Sequence, residues 1–175
     1  IPGAGEIPGG ASITIRQLLN HSSGLAPYQE TPGYDAASSI DPLTAVQMAL
    51  GTDLQWDPGT EAGYSNSGFL ALGLLIENAT GQDYETALVE RIIKPNGLAD
   101  TSIDSIPRQG WVGDSAGGLS STLTDLARWG TNLYRDGNVV SADALAEMTT
   151  IDASLSAGLG TFPVCPCTPA DEGTM

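Results

Sequence analysis

The residues best placed to do chemistry lie in the stretch Asp57-Pro58-Gly59-Thr60-Glu61-Ala62-Gly63-Tyr64-Ser65-Asn66-Ser67-Gly68. A Pro-Gly turn there delivers the triplet Tyr64-Ser65-Asn66 to the start of a strongly apolar run. If the run is a helix, the triplet sits beside free backbone N–H groups and the positive end of the helix dipole, a place that favours anions. A tyrosine in that position can serve as general base or acid, and the Asn66 amide can hold a substrate carbonyl or amide. A plainer reading fits the same residues: Tyr64 as a half-buried aromatic and Asn66 as a helix cap. The only histidine, His21, stands next to Ser22 and Ser23. Sequence neighbours cannot readily make the nucleophile–base contact of a triad, so His21 is expected to be structural. Cys165 and Cys167 are too close in sequence for an unstrained disulfide, and they lack the third and fourth ligands of a zinc site. They read as structural or incidental. The run Ala116-Gly117-Gly118-Leu119 lacks the lysine and the preceding strand of a phosphate loop. Two sequons, at Asn20 and Asn78, are discounted. No metal and no cofactor is expected.

The elements that must position these groups are mostly helical. Thr14 and Gln17 form a capping box, with Ile13 and Leu18 as a hydrophobic staple, and the short helix stops before His21-Ser22-Ser23-Gly24. Asp41-Pro42 opens a second helix, carrying Leu43, Val46 and Leu50 on one face and ending at Gly51. A third helix, about Ser67 to Ala79, is apolar nearly all round, as a central core helix is, and Thr80-Gly81 ends it. A fourth, about Asp83 to Ile93, closes at Lys94-Pro95-Asn96-Gly97. The fifth runs from about Leu123 to Arg135. Thr122 and Asp125 cap it, and Leu123, Leu126, Ala127, Gly130, Leu133 and Tyr134 line one face. A short helix follows Ser141, from Ala142 to Met148. Nothing reads as a series of alternating strands, and residues 158–175 read as irregular.

Composition narrows the partners. The chain has 175 residues with 6 Lys+Arg against 21 Asp+Glu, a formal net charge of −15. That excludes electrostatic binding to nucleic acid or to anionic membrane, which needs basic patches. Hydrophobic residues reach 41%, so this is no disordered acidic tail. The longest apolar run, Phe69 to Ile76, falls far short of the ~20 residues of a membrane span. The opening IPGAGEIPGG has neither the basic nor the apolar region of a signal peptide, and no initiator Met, so the chain reads as a mature or excised piece.

Three stretches, ITIRQLLNHSSGL, PGTEAGYSNSGFLALGLLIENATGQDYETALVERIIKPNGLADTS and SAGGLSSTLTDLARWGTNLY, closely resemble one family. It is the serine hydrolase family of class C β-lactamases, D-Ala-D-Ala carboxypeptidases, D-aminopeptidases and related esterases. The resemblance spans roughly Ile13 to Thr149. It implies a mechanism in which a serine in a Ser-x-x-Lys motif is acylated by a small amide, ester or β-lactam, and water hydrolyses the acyl-enzyme. A Tyr-x-Asn motif is the second catalytic element, here Tyr64 and Asn66. Tyr64 would shuttle the proton together with the lysine, and Asn66 would orient substrate and lysine. The resemblance also implies a structural His21, a Gly-rich turn beside the cleft and Trp111 as a possible cleft wall.

The chain departs from that pattern. Its only lysine is Lys94, with Arg91 three residues before it, so no Ser-x-x-Lys exists, and no Lys-Thr-Gly or His-x-Gly follows the fifth helix. The expected fold is therefore mainly α: residues 1–157 as the helical subdomain of the serine β-lactamase/transpeptidase-like α/β fold, lacking most of the sheet. Residues 158–175 would lead toward the sheet. The chain alone is expected to be inactive. The competing expectation is a non-catalytic binding or scaffolding module on the same helices. The family implies a secreted, periplasmic or cell-envelope location, and apolar surface left by a missing sheet would favour a homo-oligomer.

Overall fold

The structure, a computed structural model, describes residues 10–103, 114–153, 155 and 157–161. Its helices are α1 (Ile15–Leu19), α2 (Pro42–Leu50), α3 (Asn66–Thr80), α4 (Tyr84–Leu88), α5 (Leu123–Gly130) and α6 (Ala142–Thr149). Helix α4 continues into a π turn, Val89–Ile93, and α5 into another, Thr131–Arg135. The described chain is thus mainly α, as expected. No series of alternating strands is present among the described residues; β1 (Ser102–Ile103) and β2 (Leu119–Ser120) form one small antiparallel pair, with Ser102 opposite Ser120 and Ile103 opposite Leu119. Each strand is only two residues long, too short for alternation to show in sequence. Among the described residues no helix is long and apolar enough to cross a membrane.

Local chemistry sets the helix starts. Thr14 Oγ1 accepts the Gln17 N–H at 3.3 Å while Gln17 Oε1 accepts the Thr14 N–H at 2.9 Å, so the capping box is complete. Asp41 Oδ1 accepts the Thr44 N–H at 2.9 Å, Asp83 Oδ1 the Thr86 N–H at 2.8 Å and Ser141 Oγ the Ala144 N–H at 3.2 Å. Each satisfies one of the N–H groups that a helix start leaves open. Gly81, at φ 69°, closes α3 in the left-handed conformation that glycine adopts without a Cβ penalty.

Helix α3 is the central element, packed against α1, α2, α4 and the turn Asp114–Ala116. Leu70 and Ala71 join Leu18, Leu25, Tyr28, Ala45, Val46 and Leu50 in one buried cluster. Small residues let the neighbours in. A Cβ on Gly73 would lie 2.1 Å from Ser115 Oγ, so only glycine lets the turn at 114–116 reach the helix. Ser115 Oγ in turn donates to the Phe69 carbonyl at 2.9 Å.

Helix α5 differs from its expectation. Leu133 is buried, but Leu123 is 86% exposed, and Leu126 and Tyr134 are exposed as well, so the apolar stripe is not a core face among the described residues. Leu126 and Trp129 instead edge an apolar cavity of about 480 Å³ shared with Leu88, Ile92, Leu98 and Leu119. The Thr122–Asp125 cap is half formed. Thr122 Oγ1 accepts the Asp125 N–H at 3.2 Å, but the Asp125 carboxylate turns away to the loop after α4. Beyond α6, Leu159 N–H reaches the Met148 carbonyl at 3.1 Å and Gly160 N–H the Leu19 carbonyl at 3.0 Å. Trp111, Cys165 and Cys167 lie outside the described residues.

Candidate active site

Two loops build the site. The first, Asn20–Gly24, leaves α1 with His21 in the left-handed region at φ 58°. Asn20 Oδ1 accepts the Ser22 hydroxyl at 2.7 Å and holds the turn. The second is the Pro-Gly turn ahead of α3. The first loop straps it by three backbone bonds: Gln55 N–H to the Gly24 carbonyl at 2.8 Å, Gly59 N–H to Ser22 at 2.7 Å and Gly63 N–H to His21 at 3.0 Å. Trp56 fills the space between them. A Cβ on Gly63 would come within 2.4 Å of the Trp56 ring, and one on Gly24 within 2.3 Å of its carbonyl oxygen. Glycine at both positions is therefore a condition of this approach.

The strap delivers Tyr64, Ser65 and Asn66 to the N-terminus of α3. Tyr64 is 65% exposed and lies over the imidazole of His21, ring centroids 4.7 Å apart. Phe69 packs against the same imidazole at 5.0 Å. Ser65 N–H donates to His21 Nδ1 at 3.2 Å. That nitrogen accepts only when it carries no proton, and burial pushes the His21 pKa below its ordinary 6.5, so the ring is neutral. Asn66 is the first residue of α3, half-buried, and makes no hydrogen bond through its amide among the described residues. The plainer reading of Asn66 as a cap does not hold, because Ser65 occupies the cap position and makes no side-chain cap bond. Ser65 Oγ is buried without a partner among the described residues. Next in line, Ser67 Oγ accepts the Tyr28 N–H and donates to the Ala26 carbonyl, each at 2.8 Å, pinning the start of α3 to the core.

Tyr64 and Asn66 thus share one helix start, the tyrosine reaching solvent and the asparagine half open to it. Lys94 is elsewhere: it follows the π turn after α4 and lines a second cavity with Val89, Ile93 and Leu98. Sequence reasoning set His21 aside, although it touches Tyr64. The only available signal was its place as the sole histidine at the end of the Leu-Leu-Asn-His-Ser-Ser-Gly turn. It also read Asp125 as a cap. Its Oδ2 accepts the Asp100 N–H at 2.8 Å and the Thr101 hydroxyl at 3.0 Å, while Oδ1 meets Arg128 at 3.1 Å. Arg128 also donates to the Gly97 carbonyl. No group of three His, Cys, Asp or Glu side chains among the described residues could hold a metal ion.

With the helix bundle and this helix start in view, the chain can be placed: residues 2–161 match the Beta-lactamase family, and the chain belongs to it. It is 32% identical over 95 residues to a penicillin-binding protein of Bacillus subtilis (strain 168), the match covering 52% of this chain and 21% of that protein. Its structure superposes on a D-stereospecific amidohydrolase from Streptomyces sp. with TM-score 0.74 and 30% identity, over 91% of this chain and 59% of the other. On a D-amino acid amidase from Ochrobactrum anthropi SV3, complexed with D-phenylalanine, it superposes with TM-score 0.68 and 26% identity. That match covers 82% of this chain and 50% of the amidase. The chain therefore spans little more than half the length of these solved relatives, and less of the curated one. The family is one of hydrolases, and the described bundle has the β-lactamase-like fold.

Proposed function

We propose that this chain carries the Tyr-x-Asn element of a serine hydrolase that works through an acyl-enzyme on small amides, esters or β-lactams. Residues 1–157 act as its helical subdomain; residues 162–175, read from the sequence as leading toward the sheet, lie outside the described residues. The observation that carries the reading is Tyr64, held out to solvent at the N-terminus of α3 by a strapped turn and a stacked ring, with the Asn66 amide two residues on. Tyr64 and the lysine of a Ser-x-x-Lys motif take the serine proton as the serine oxygen attacks the carbonyl carbon. Collapse of the tetrahedral intermediate breaks the bond to the leaving nitrogen or oxygen, which takes that proton from Tyr64. Asn66 orients the substrate carbonyl or amide, and backbone N–H groups stabilise the oxyanion. Amides are the favoured substrates, because an amidohydrolase and an amidase are among the solved relatives. Such an enzyme works in the cell envelope, the periplasm or outside the cell.

This sequence contains no Ser-x-x-Lys, so the chain alone turns nothing over. Labelling with a fluorescent penicillin tests the proposal. The full-length protein should acylate and the isolated chain should not, and stoichiometric labelling of the isolated chain would overturn the excision reading. In the full-length protein Tyr64→Phe should slow acylation by about 10²–10⁴-fold, the usual worth of general acid–base catalysis. An unchanged rate removes Tyr64 from the mechanism. The lysine count also favours a second reading, a non-catalytic binding or scaffolding module, and Leu119, Leu123 and Leu126 offer apolar surface for a second copy. A full-length protein that never acylates, with a replaced Ser-x-x-Lys, would select it.

A further inference from the structure

We propose that His21 is a positioning residue for the Tyr64-Ser65-Asn66 element, fixing the tyrosine ring through its imidazole face and the backbone of the triplet through Nδ1. This rests on the reading of Tyr64 as the proton shuttle. The structure ties His21 to the triplet in three ways. Its carbonyl accepts the Gly63 N–H at 3.0 Å, its Nδ1 accepts the Ser65 N–H at 3.2 Å, and its ring lies against the Tyr64 ring at 4.7 Å. The two hydrogen bonds clamp the backbone on both sides of Tyr64. The stack then removes rotational freedom from a side chain that is otherwise 65% exposed.

A purely structural histidine needs none of this. A buried aliphatic residue would fill the same space, without the acceptor and without the flat face. The backbone at position 21 is left-handed, a region that histidine adopts more readily than a bulky aliphatic residue and that persists only where the surroundings impose it. Phe69 backs the imidazole at 5.0 Å, so the histidine is itself held from the side of α3. The exposed phenol, the neutral imidazole and the ring on the helix form one aromatic cluster, with the Tyr64 ring tilted 37° and the Phe69 ring 31° to the imidazole. A tyrosine that must present its oxygen to a serine and a lysine gains from such pre-orientation, since an error of ~1 Å can cost about 10²-fold in rate.

Two substitutions separate the two functions of the ring. His21→Asn keeps an acceptor close to the Nδ1 position and tolerates the left-handed backbone, but removes the stack. His21→Phe keeps a ring and removes the acceptor. In NMR spectra of the isolated chain, H21F should speed exchange of the Ser65 amide by about 2- to 10-fold, the worth of one hydrogen bond, while the ring-current shifts of Tyr64 persist. H21N should do the reverse. If a variant fails to fold, wild type supplies the decisive readout: an imidazole protonated on Nε2 with its Nδ1 coupled to the Ser65 amide. A protonated Nδ1, or an uncoupled one, overturns the proposal. In the full-length protein both variants should slow acylation by a fluorescent penicillin by up to about 10²-fold, with noncovalent substrate affinity little changed. If Y64F slows acylation while both His21 variants react at the wild-type rate, the positioning role is wrong and the shuttle reading stands. If Y64F reacts at the wild-type rate, the shuttle reading fails and the proposal falls with it.

Discussion

The half of the bundle around α1, α2 and α3 and the half around α4 and α5 differ in how far apolar burial holds them together. In the first, apolar burial dominates: Leu18, Leu25, Tyr28, Val46, Leu50 and Leu70 share one buried cluster, and the loops that carry His21 and Tyr64 rest on it. In the second, Leu123 and Leu126 face outward and a cavity of about 480 Å³ opens beside Trp129. What ties α5 to the loop after α4 is polar: the Asp125 carboxylate on Asp100 and Thr101, Arg128 on Gly97, and Asn132 Nδ2 on Asn96 Oδ1 at 3.1 Å. Asp125 is only 2% exposed, so the bonds of its own carboxylate are made where water cannot readily replace them. The two halves differ in what supports them, and the proposed site belongs to the packed one. The Tyr64 turn is mounted on the packed half, where side-chain positions are least free to drift.

Stability measurements can break that contrast. Leu70→Ala should destabilise by about 2–5 kcal/mol in denaturant unfolding, because it opens a cavity in the one packed cluster. A loss below about 1 kcal/mol would mean that the cluster does not hold the fold. Asp125→Asn should come next, at about 1.5–3 kcal/mol, the range for hydrogen bonds to a charged group. It should also free the amide of Asp100 to exchange while the amide of Ser65 stays protected. Equal deprotection of both would show that the halves are one cooperative unit. Asp41→Ala removes the cap of α2 and should cost about 1 kcal/mol; no change in the melting curve would contradict the cap geometry.

Stability should also depend on pH: acid removes contributions in both halves, whereas alkali removes one from the half around α4. His21 is held below its ordinary 6.5 by burial, so its contribution is present above 6.5 and is lost as pH falls through its lower folded value. The cap carboxylates Asp41 and Asp83 are held below 3.8, chiefly by bonds from Thr44 and Thr86, and their contributions disappear at still lower pH. Tyr84 is pushed above 10.0 by burial and by the nearby Asp114, so its contribution is present below 10 and is lost as pH rises through its folded value. His21→Asn should flatten the stability profile below pH 6.5 and Tyr84→Phe the profile above 10, as thermal melts across pH would show. A profile unchanged by either would detach that group from the titration. The smallest effect should come from Leu123→Gln, within about 0.5 kcal/mol, since the side chain is already exposed. A larger loss would mean that α5 is covered by something in solution, which size-exclusion chromatography would reveal as self-association.

Much of the bundle was legible in the sequence, and the legible part is local. Thr14 with Gln17, Asp41 with Thr44 and Ser141 with Ala144 are satisfied by bonds three residues apart, so residue type and spacing suffice to locate each helix start. The uninterrupted apolar run likewise marked α3 as central, and the three matching stretches led to the family. What could not be read was the second use of the same residues. Asp125 sits at cap spacing, yet its carboxylate is spent on Asp100 and Thr101, 25 and 24 positions away. The α5 stripe has the periodicity of a core face and is largely exposed, because periodicity gives a direction and says nothing of what lies there.

Residue types and spacing were enough to locate the helices, the acidic excess and the place of Tyr64 and Asn66 at the start of α3, and a single lysine leaves no room for a Ser-x-x-Lys. The contact between His21 and Tyr64 emerges only once the chain is folded. The bond from Ser65 to His21 spans 44 positions, and it forms because two loops are strapped side by side by backbone hydrogen bonds and spaced by glycines against Trp56. No rule of residue type or period reaches across such a distance, because the contact exists only once the chain between has folded back over α2 and the core.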